Sequence, residues 1–442
     1  MRSHNQTELS EKLQNVINQL VDSKTGVITR LHEVPLQASE HELHIYTAGC
    51  SDINYVLQLQ HGVRPKMEAI ASGAGLSKEE ALWSTVGEAC ERYIATYHFA
   101  NESFVASENS FSNLPIKLAD YIAFSKEQYQ QTSFPFLPVD SEAEIHWAQG
   151  VCLNSLQQVP IPAQLVWLNQ HFLTGQERFF PQISTGLAAG ESIAHAALTG
   201  LREVIERDAF TSYWLLQKTP RRIRPELLVP AGSALEAMIE RSGLTLDLLW
   251  LETDIQVPSI LCLLQLPECR GLAVGMSTHL NAAVAAEKAI VEAFHTYNWI
   301  LEMRRSGLTS LPREQLRDFE HHVRFYLQPE NHQYVAFLQQ GADLDAAELA
   351  RHQFKVTDHD SHLAELTKRI TNAGFRSCYV DISKPEFTEL SIYAVKAVIP
   401  GLQPLHVGVG TEFLDDRRLR QLCDYWQTSM PASLNLEPHP FP

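Results

Sequence analysis

Two segments of the chain repeat the same arrangement of hydroxyl, carboxylate and guanidinium side chains. In each copy a Ser or Thr is followed by a Glu and then by a Glu–Arg pair, with identical spacing. The copies are Ser84, Glu88, Glu91 and Arg92, and then Thr199, Glu203, Glu206 and Arg207. A third, less complete copy at the same phase is Lys288, Glu292 and His295. At about 100° per residue, each full set occupies roughly a quarter to a third of a helix circumference.

Two interpretations of these helix faces are open. Each face can be a solvated surface, because Glu and Arg four residues apart pair readily there. A solvated surface, however, gives no reason for the spacing to recur in register. Two such faces that meet would bring four glutamates together, and so much negative charge needs a cation such as Mg²⁺. The predicted metal ligands are Glu88, Glu91, Glu203 and Glu206, and Mg²⁺ in turn suits a triphosphate.

Glycine-rich segments precede both helices. They are Ser72-Gly73-Ala74-Gly75 and Thr185-Gly186-Leu187-Ala188-Ala189-Gly190. Their backbone N–H groups can contact phosphate, or the segments can be ordinary turns. The sequence Gly-x-x-x-x-Gly-Lys-Ser/Thr does not occur, so the chain is not a P-loop enzyme.

The elements that must position these side chains follow from periodicity and from helix-start signals. Long helices are predicted at 76–98, 192–216 and 281–302, with Ser77 and Glu80 as a capping box. A hairpin is predicted from 145–153 and 159–168, and Pro160 and Pro162 place its second strand at a sheet edge. The remaining predictions are strands at 43–60, 246–266, 271–277, 376–382 and 391–399, and helical structure at 8–22, 306–368 and 415–427. The fold class is therefore α+β.

Three histidine-containing segments have weaker signals. His41-x-x-His44 and the segment from Asp358 to His362 contain possible metal ligands but lack a third partner at fixed spacing. We interpret both as polar loops. Glu320-His321-His322 is interpreted as helix surface.

The composition limits the partners and the compartment. The net charge of −17 repels phosphate backbones, so no nucleic-acid partner is expected. The seven cysteines are scattered without a Cys-x-x-Cys pair, which favours a reducing cytoplasm over a disulfide framework or a zinc site. No apolar signal segment and no run of about eighteen apolar residues occurs, so no membrane partner is expected.

Taken together, these segments resemble the YcaO family. The resemblance rests on both carboxylate helices with their glycine-rich approaches, on 147–166, on 254–264 and on Ile399-Pro400-Gly401-Leu402-Gln403-Pro404. It covers about residues 65–442, and residues 1–64 are expected to form an N-terminal α/β segment. The family fold implies long carboxylate-bearing helices packed on mainly antiparallel sheets.

The resemblance implies an enzyme that binds ATP and Mg²⁺ without a P-loop. Azoline-forming members let a Cys, Ser or Thr side chain of a precursor peptide attack the preceding carbonyl. They then phosphorylate the amide oxygen, and phosphate leaves to give a thiazoline or oxazoline. The implied nucleotide-binding residues are Ser84, Glu88, Glu91, Arg92, Glu203, Glu206, Arg207 and Glu292.

The proline-rich end of the sequence selects among the family's reactions. Azoline-forming members end in Pro-x-Pro-x-Pro, and this sequence ends with Pro438, Pro440 and Pro442. Prolines fix φ and keep a short segment extended, so the carboxylate of Pro442 can be aimed into the site as a proton acceptor. By itself such a segment can equally be a loose end. The resemblance assigns these three prolines a catalytic role.

The sequence departs from the family pattern at two places. Glu191 and His195 stand where members often carry Asn and Glu, which leaves the full Mg²⁺ ligand set open. His295 and Tyr297 stand where members usually carry Gln and Arg, so the nucleotide contacts of the third helix are also open.

The predicted function is that of a discrete cyclodehydratase subunit. The roughly 65 residues before the YcaO region are too few for a full leader-binding domain, so a separate leader-binding partner protein is expected, and the subunit is expected to oligomerise. An FMN-dependent dehydrogenase is the expected enzyme for any oxidation of azoline to azole. Two alternatives remain: a YcaO enzyme that forms thioamides or amidines, and a non-catalytic YcaO scaffold.

Overall fold

The computed structural model describes residues 9–36, 43–52, 58, 70–96, 98–168, 178–266, 271–352, 354 and 358–441. Three antiparallel sheets organise this part of the chain. The strands are β1 (Ile28–Glu33), β2 (His44–Cys50), β3 (Ile70–Gly75), β4 (Ser103–Ala106), β5 (Ile145–Cys152), β6 (Gln157–Pro162), β7 (Leu187–Gly190), β8 (Arg221–Ile223), β9 (Thr245–Trp250), β10 (Ser259–Gln265), β11 (Leu272–Thr278), β12 (Cys378–Asp381) and β13 (Tyr393–Val398).

The strand order explains how distant segments meet. One sheet has the order β1-β2-β3 and a second has the order β11-β10-β9-β8. The largest sheet has the order β4-β5-β12-β13-β7, and β6 pairs with β5 beside this path. Pro160 and Pro162 therefore lie on a strand that pairs with one neighbour, as their missing N–H groups require. The predicted α+β class with antiparallel sheets is confirmed.

Among the described helices, the three longest are those that carry the repeated carboxylates. The helices are α1 (Glu11–Leu20), α2 (Lys78–Ile94), α3 (Lys126–Tyr129), α4 (Ile193–Leu215), α5 (Ala234–Ser242), α6 (Ala282–Arg305), α7 (Phe319–Phe325), α8 (Ala346–Ala350), α9 (His359–Asn372), α10 (Pro385–Thr388) and α11 (Arg417–Tyr425). The long helices α2, α4 and α6 begin at Ser77, Ser192 and Asn281, whose side chains accept a backbone N–H of the first turn. Ser77 and Glu80 form the predicted capping box.

Each long helix follows a strand and packs against it. The strand–helix pairs are β3–α2, β7–α4 and β11–α6. Glycines permit the close approach: a Cβ atom on Gly73 would lie 2.4 Å from the Thr85 nitrogen, and one on Gly275 would lie 2.2 Å from the Ala293 nitrogen. The repeated spacing in the sequence thus corresponds to a threefold strand–helix repeat in the fold.

The long helices bury their apolar faces in separate parts of the core. Helix α2 contributes Val86 and Cys90 to a cluster that includes Trp147 of β5. Helix α6 contributes Ile290 and Phe294 to a cluster built on β9, β10 and β11. Because these faces are fixed by burial, the carboxylates on the remaining faces are held in defined positions.

The N-terminal segment is joined to the rest of the fold. Strand β2 pairs with β3 along its length, and Lys12 of α1 lies 3.0 Å from Glu191 at the start of α4. The predicted boundary between 64 and 65 falls on residues outside the described ranges.

The helical tendency predicted for 306–368 is present as several separate pieces. Its described residues form α7, α8, the start of α9 and 3₁₀ segments, with buried residues such as Val323, Val335 and Leu349. Among the described helices, none is long and apolar enough to cross a membrane.

Candidate functional site

Three strands hold the carboxylates of the three long helices in the same way. The Ser72 amide of β3 donates to Glu88 at 3.2 Å, and the Gly186 amide before β7 donates to Glu203 at 3.0 Å. The Met276 amide of β11 donates to Glu292 at 2.8 Å. The sequence separations are 16, 17 and 16 residues. The less complete third copy therefore retains the structural position of its glutamate.

Arginines bridge the carboxylates. Arg92 lies 3.4 Å from Glu88. Arg207 lies 3.6 Å from Glu203 and 3.7 Å from Glu206, and Glu206 also accepts the Thr278 amide at 3.1 Å. The contacts expected for a solvated face are thus present, but only the Arg92–Glu88 pair is about one third exposed, and the Arg207 pairs are largely buried.

The electrostatics show that the carboxylates form one cluster. Burial raises the pKa values of Glu91 and Glu206 well above the usual range, and the charge of Glu203 raises both further. The pKa values of Glu88 and Glu292 are raised by burial and, more weakly, by Glu203. The structure therefore brings together five carboxylates, with Glu203 interacting with the other four. We call Glu88, Glu91, Glu203, Glu206 and Glu292 the carboxylate cluster.

Lys396 is a member of the site that the sequence predictions missed. It is 3% exposed on β13, and its Nζ donates to the Ile183 carbonyl at 2.7 Å. Burial lowers its pKa to about 8, while Glu203 and Glu91 oppose that shift. A lone lysine in the apolar strand Tyr393–Val398 is the signal that could have identified it. Five carboxylates then face three cations, Arg92, Arg207 and Lys396, and the negative excess favours a divalent cation.

A pocket of about 830 Å³ adjoins the cluster. Its wall is formed by β3, α2, β11 and α6, and Glu292 belongs to both the pocket and the cluster. Ser84, Lys288 and His295 also line it. His295 Nε2 lies 2.8 Å from the Ser72 hydroxyl, and burial lowers its pKa to about 4, so the ring is neutral. The pocket is large enough for a nucleotide-sized ligand.

The proline-rich segment docks beside α4. Pro438, His439, Pro440 and Phe441 are all buried. The Phe441 ring lies 4.0 Å from the Arg207 guanidinium and 4.9 Å from the Phe210 ring. The segment therefore reaches the carboxylate cluster through Arg207. Pro442, the predicted proton acceptor, lies outside the described residues.

Hydrogen bonds to the backbone fix this segment. The Tyr326 hydroxyl donates to the Pro438 carbonyl at 2.5 Å, and Trp214 Nε1 donates to the Glu437 carbonyl at 2.8 Å. His322 Nδ1 lies 2.9 Å from the His439 carbonyl. His322 is fully buried, so its interpretation as helix surface is wrong: apolar packing turns α7 towards the docked segment.

Of the residues that depart from the family pattern, His295 lines the pocket that adjoins the carboxylate cluster. Tyr297 is buried in the apolar core beside Phe294. Glu191 and His195 lie at the start of α4, where the His195 ring stacks on His359 at 4.0 Å. The prediction of a polar loop at 358–362 is therefore wrong. Asp358 caps α9, and this helix carries His359 and His362 to the N-terminal half of α4. His41 lies outside the described residues, and His44 lies 3.3 Å from Glu33.

A family model describes a cyclodehydratase that binds ATP and Mg²⁺, and it matches residues 72–403. The chain belongs to the YcaO family. This confirms the resemblance, and at the level of the family it confirms ATP and Mg²⁺ as cofactors. The matched range contains the three long helices, β7, β11, most of β3, and Lys396.

Two uncharacterised proteins are similar to most of this chain at low sequence identity. An uncharacterised protein of Methanothermobacter thermautotrophicus is 23% identical over 78% of this chain and 85% of its own. An uncharacterised protein encoded in the tfuA 3′ region of Rhizobium leguminosarum bv. trifolii is 25% identical over 76% of this chain and 77% of its own.

Solved structures show the same fold. A heterocyclase in complex with substrate and cofactor has a TM-score of 0.76 at 20% identity and covers 98% of this chain. This chain spans 57% of that heterocyclase. YcaO from Methanopyrus kandleri, bound with AMPPCP and Mg²⁺, has a TM-score of 0.60 at 16% identity and 88% coverage of both chains. The Escherichia coli microcin synthetase McbBCD complex has a TM-score of 0.58 at 15% identity, with 84% and 88% coverage.

The chain's own residues fit ATP and Mg²⁺. The carboxylate cluster supplies hard oxygen donors, which Mg²⁺ prefers. Arg92 Nε and Arg207 Nη1 are buried and form no hydrogen bond among the described residues, with Arg207 Nη1 at 3.7 Å from Glu206. Both atoms can therefore donate to an anionic ligand. Glu88, Glu91, Glu203, Glu206 and Glu292 would hold the metal, and the adjoining pocket would hold the nucleotide.

Proposed function

We propose that this YcaO protein converts Cys, Ser or Thr residues of a ribosomal precursor peptide to thiazoline or oxazoline with consumption of ATP. The observation that carries the proposal is the carboxylate cluster, which adjoins a nucleotide-sized pocket on one side and the docked Pro438–Phe441 segment on the other. Bound ATP and Mg²⁺ would supply the phosphoryl group that makes the amide oxygen a leaving group.

The residues of the site have separate tasks in this reaction. The strand amides fix Glu88, Glu203 and Glu292 before any ligand binds, so the site is preorganised for the cation. Arg207 faces both carboxylates and the Phe441 ring. It thereby couples the position of the proline-rich segment to the metal site.

The bonds of the proposed reaction balance without an oxidant. The substrate thiol or hydroxyl adds to the preceding carbonyl carbon and loses its proton to a base. The carbonyl oxygen takes the γ-phosphoryl group, giving ADP. The nitrogen then forms the C=N bond as its proton and phosphate leave. The proline-rich segment, which docks beside Arg207, is proposed to position the base.

We propose two partner proteins for this enzyme. A separate protein would bind the leader of the precursor peptide, and an FMN-dependent dehydrogenase would act on the azoline where an azole is the product. The solved McbBCD complex, a microcin synthetase, is a related assembly. We propose that this chain likewise works in an oligomeric complex.

Mass spectrometry of the product tests the proposal. The chain is incubated with ATP, Mg²⁺, a Cys/Ser/Thr-rich precursor peptide encoded beside it and the neighbouring partner protein. We expect loss of one water per modified residue, together with ADP and phosphate. Exchange of oxygen for sulfur would instead identify a thioamide-forming enzyme, and absence of peptide-dependent ADP release would identify a scaffold.

A matched pair of variants connects the activity to the site. Glu203→Gln should abolish ADP release because Glu203 interacts with every other member of the carboxylate cluster. Glu302→Gln, near the end of α6 and paired with Arg305 at 2.7 Å, should retain it. Equal activity of the two variants would contradict the proposed site.

A further inference from the structure

A smaller cavity borders the carboxylate cluster at Lys396 and at Val204, the residue that follows Glu203 on α4. Its volume is about 90 Å³, and no described residue lines both this cavity and the 830 Å³ pocket. One water needs only about 10–15 Å³ of such space, so the cavity can hold a group of several heavy atoms. We call this space, bounded largely by 180–185 and 396–404, the Pro-Gly cavity.

A sharp turn gives the cavity a fixed wall. Strand β13 ends at Val398, and Gly401 then adopts a φ of +92°, a conformation that residues with a side chain rarely take. The Leu402 amide donates to the Ile399 carbonyl at 3.3 Å and closes the turn. Elsewhere in the wall the Tyr121 ring packs edge-on against Phe180, with centroids 5.6 Å apart. The cavity is therefore formed by rigid parts of the fold.

Two buried polar atoms of this wall have no hydrogen-bond partner among the described residues. They are Tyr121 Oη and Gln403 Oε1, and these side chains are only 8% and 1% exposed. The Gln403 side chain is held in place, because its Nε2 donates to the Phe413 carbonyl at 2.7 Å. An unpaired buried polar atom costs stability. Two of them around one cavity point to a ligand that pairs with both.

The chemistry of the wall defines that ligand. The Tyr121 hydroxyl can donate to a carbonyl oxygen, and Gln403 Oε1 can accept an N–H. The backbone of a single peptide residue carries one group of each kind. The rest of the lining is mainly apolar, with Ile122, Leu165 and Leu402 as examples. This combination suits a peptide residue with an uncharged, apolar side chain.

We propose that the Pro-Gly cavity binds an apolar residue of the precursor peptide that directly flanks the modified residue. A peptide chain advances only about 3.3–3.6 Å per residue. The cavity begins at Lys396 and Val204, next to the carboxylate cluster, so a neighbour of the reacting residue can reach it. The inference rests on the proposed function, because it names a specificity pocket for the same peptide substrate.

A competition between precursor peptides tests the proposed preference. The peptides carry Leu, Asn or Gly directly before or directly after the modified Cys, and the full chain converts them with its partner protein, ATP and Mg²⁺. Asn matches Leu in size but is polar, and Gly leaves the cavity empty. At one of the two positions, kcat/KM should be about tenfold or more higher for Leu, because the cavity buries its side chain. Equal values at both positions would overturn the inference.

The substitution Tyr121→Phe tests the proposed hydrogen bond. It removes a hydroxyl that has no partner in the protein, so the thermal midpoint should stay the same or rise. The KM for the Leu peptide should increase by roughly 2- to 10-fold, with a smaller change in kcat. Tyr129→Phe is the matched control, since Tyr129 packs on Phe124 and does not line the cavity. A hydroxyl with a purely structural role would leave the KM unaltered, and that result would overturn the inference.

Filling the cavity provides a second variant. Leu165 is a partly buried lining residue, and Leu165→Trp should occupy the space that the peptide side chain needs. The ratio of kcat/KM for the Leu peptide to that for the Gly peptide should then fall to near one. A thermal midpoint close to that of the unaltered chain would show that this variant folds.

The outcomes also distinguish this inference from the proposed function. If azoline forms on every peptide and Leu165→Trp keeps the preference for Leu, the cavity assignment is wrong and the proposed function stands. If no peptide gains an azoline, fluorescence anisotropy of the labelled Leu peptide decides. Binding that weakens in both Tyr121→Phe and Leu165→Trp would then support the peptide site while the proposed function is wrong.

Discussion

The substitution Phe441→Ala should release the proline-rich segment from α4 without unfolding the protein. The Phe441 ring is fully buried, and it lies 4.0 Å from the Arg207 guanidinium. Truncation of a buried Phe to Ala typically costs about 3–5 kcal/mol. The effect should be confined to the end of the segment, because its other anchors do not involve Phe441. They are hydrogen bonds to its backbone and the buried His439 ring, which stacks on His322 and bonds to the His406 carbonyl.

The size of the effect follows from this energy. A loss of about 3–5 kcal/mol increases the undocked-to-docked ratio by roughly two to nearly four orders of magnitude. Hydrogen–deuterium exchange of a peptide covering 431–442 should therefore rise sharply, whereas exchange in the core of α4 should not. Heterocycle formation should fall in parallel, because Arg207 loses its ring contact and the segment loses its fixed position.

Leu436→Ala provides the matched control. Leu436 precedes the docked segment and is 38% exposed, so its truncation should change neither exchange nor activity. If Phe441→Ala leaves the exchange of the C-terminal peptide unaltered, docking of the Pro438–Phe441 segment does not depend on the Phe441 ring. If exchange rises while heterocycle formation is retained, the segment has no role in the reaction.

Three further predictions concern the same site. Deletion of Pro440-Phe441-Pro442 should abolish heterocycle formation while circular dichroism and the thermal midpoint remain near those of the full chain; full activity would contradict the predicted catalytic role of the tail. Without Mg²⁺, the free energy of unfolding should increase as the pH falls from neutrality towards the usual glutamate pKa of 4.5, because Glu91 and Glu206 have raised pKa values and bind protons more readily in the folded state. Saturating Mg²⁺ should reduce this slope, and a slope of the opposite sign in denaturant titrations would refute the electrostatic account. Glu206→Gln should weaken Mg²⁺-dependent ATP binding by at least about tenfold, since it removes one anionic ligand; equal calorimetric affinities would exclude Glu206 as a ligand.

The long helices could be predicted because their signals are local. Ser77 and Glu80 fix the start of α2, and the spacing of Glu203, Glu206 and Arg207 fixes which face of α4 carries charge. The position of Glu292 on α6 could also be predicted, because it occupies the same helical position in the incomplete third copy as the glutamates of the other copies. Each of these signals comes from residues that lie within about one helical turn of one another.

The missed residues depend on contacts between distant segments. Lys396 reaches the carboxylate cluster because β13 pairs with β7, and His322 is buried because the segment near His439 returns to α7. His362 Nδ1 lies 2.9 Å from Arg202 Nη2, although the two residues are 160 positions apart in sequence. No local period encodes such contacts, so composition and spacing favoured the exposed interpretation for His322 and His362.

The strand amides have a consequence for which cation the site accepts. Each amide donates to one oxygen, Oε2, of Glu88, Glu203, Glu206 and Glu292, which favours monodentate metal binding through Oε1. In Glu88, Glu203 and Glu206 this second oxygen also faces Arg92 or Arg207. Ca²⁺ readily takes bidentate carboxylates and six to eight ligands at longer distances, whereas Mg²⁺ keeps a compact octahedron with room for phosphate oxygens and water. The backbone amides of β3, of β11 and of Gly186 thus favour the smaller ion, and they do so without contacting it.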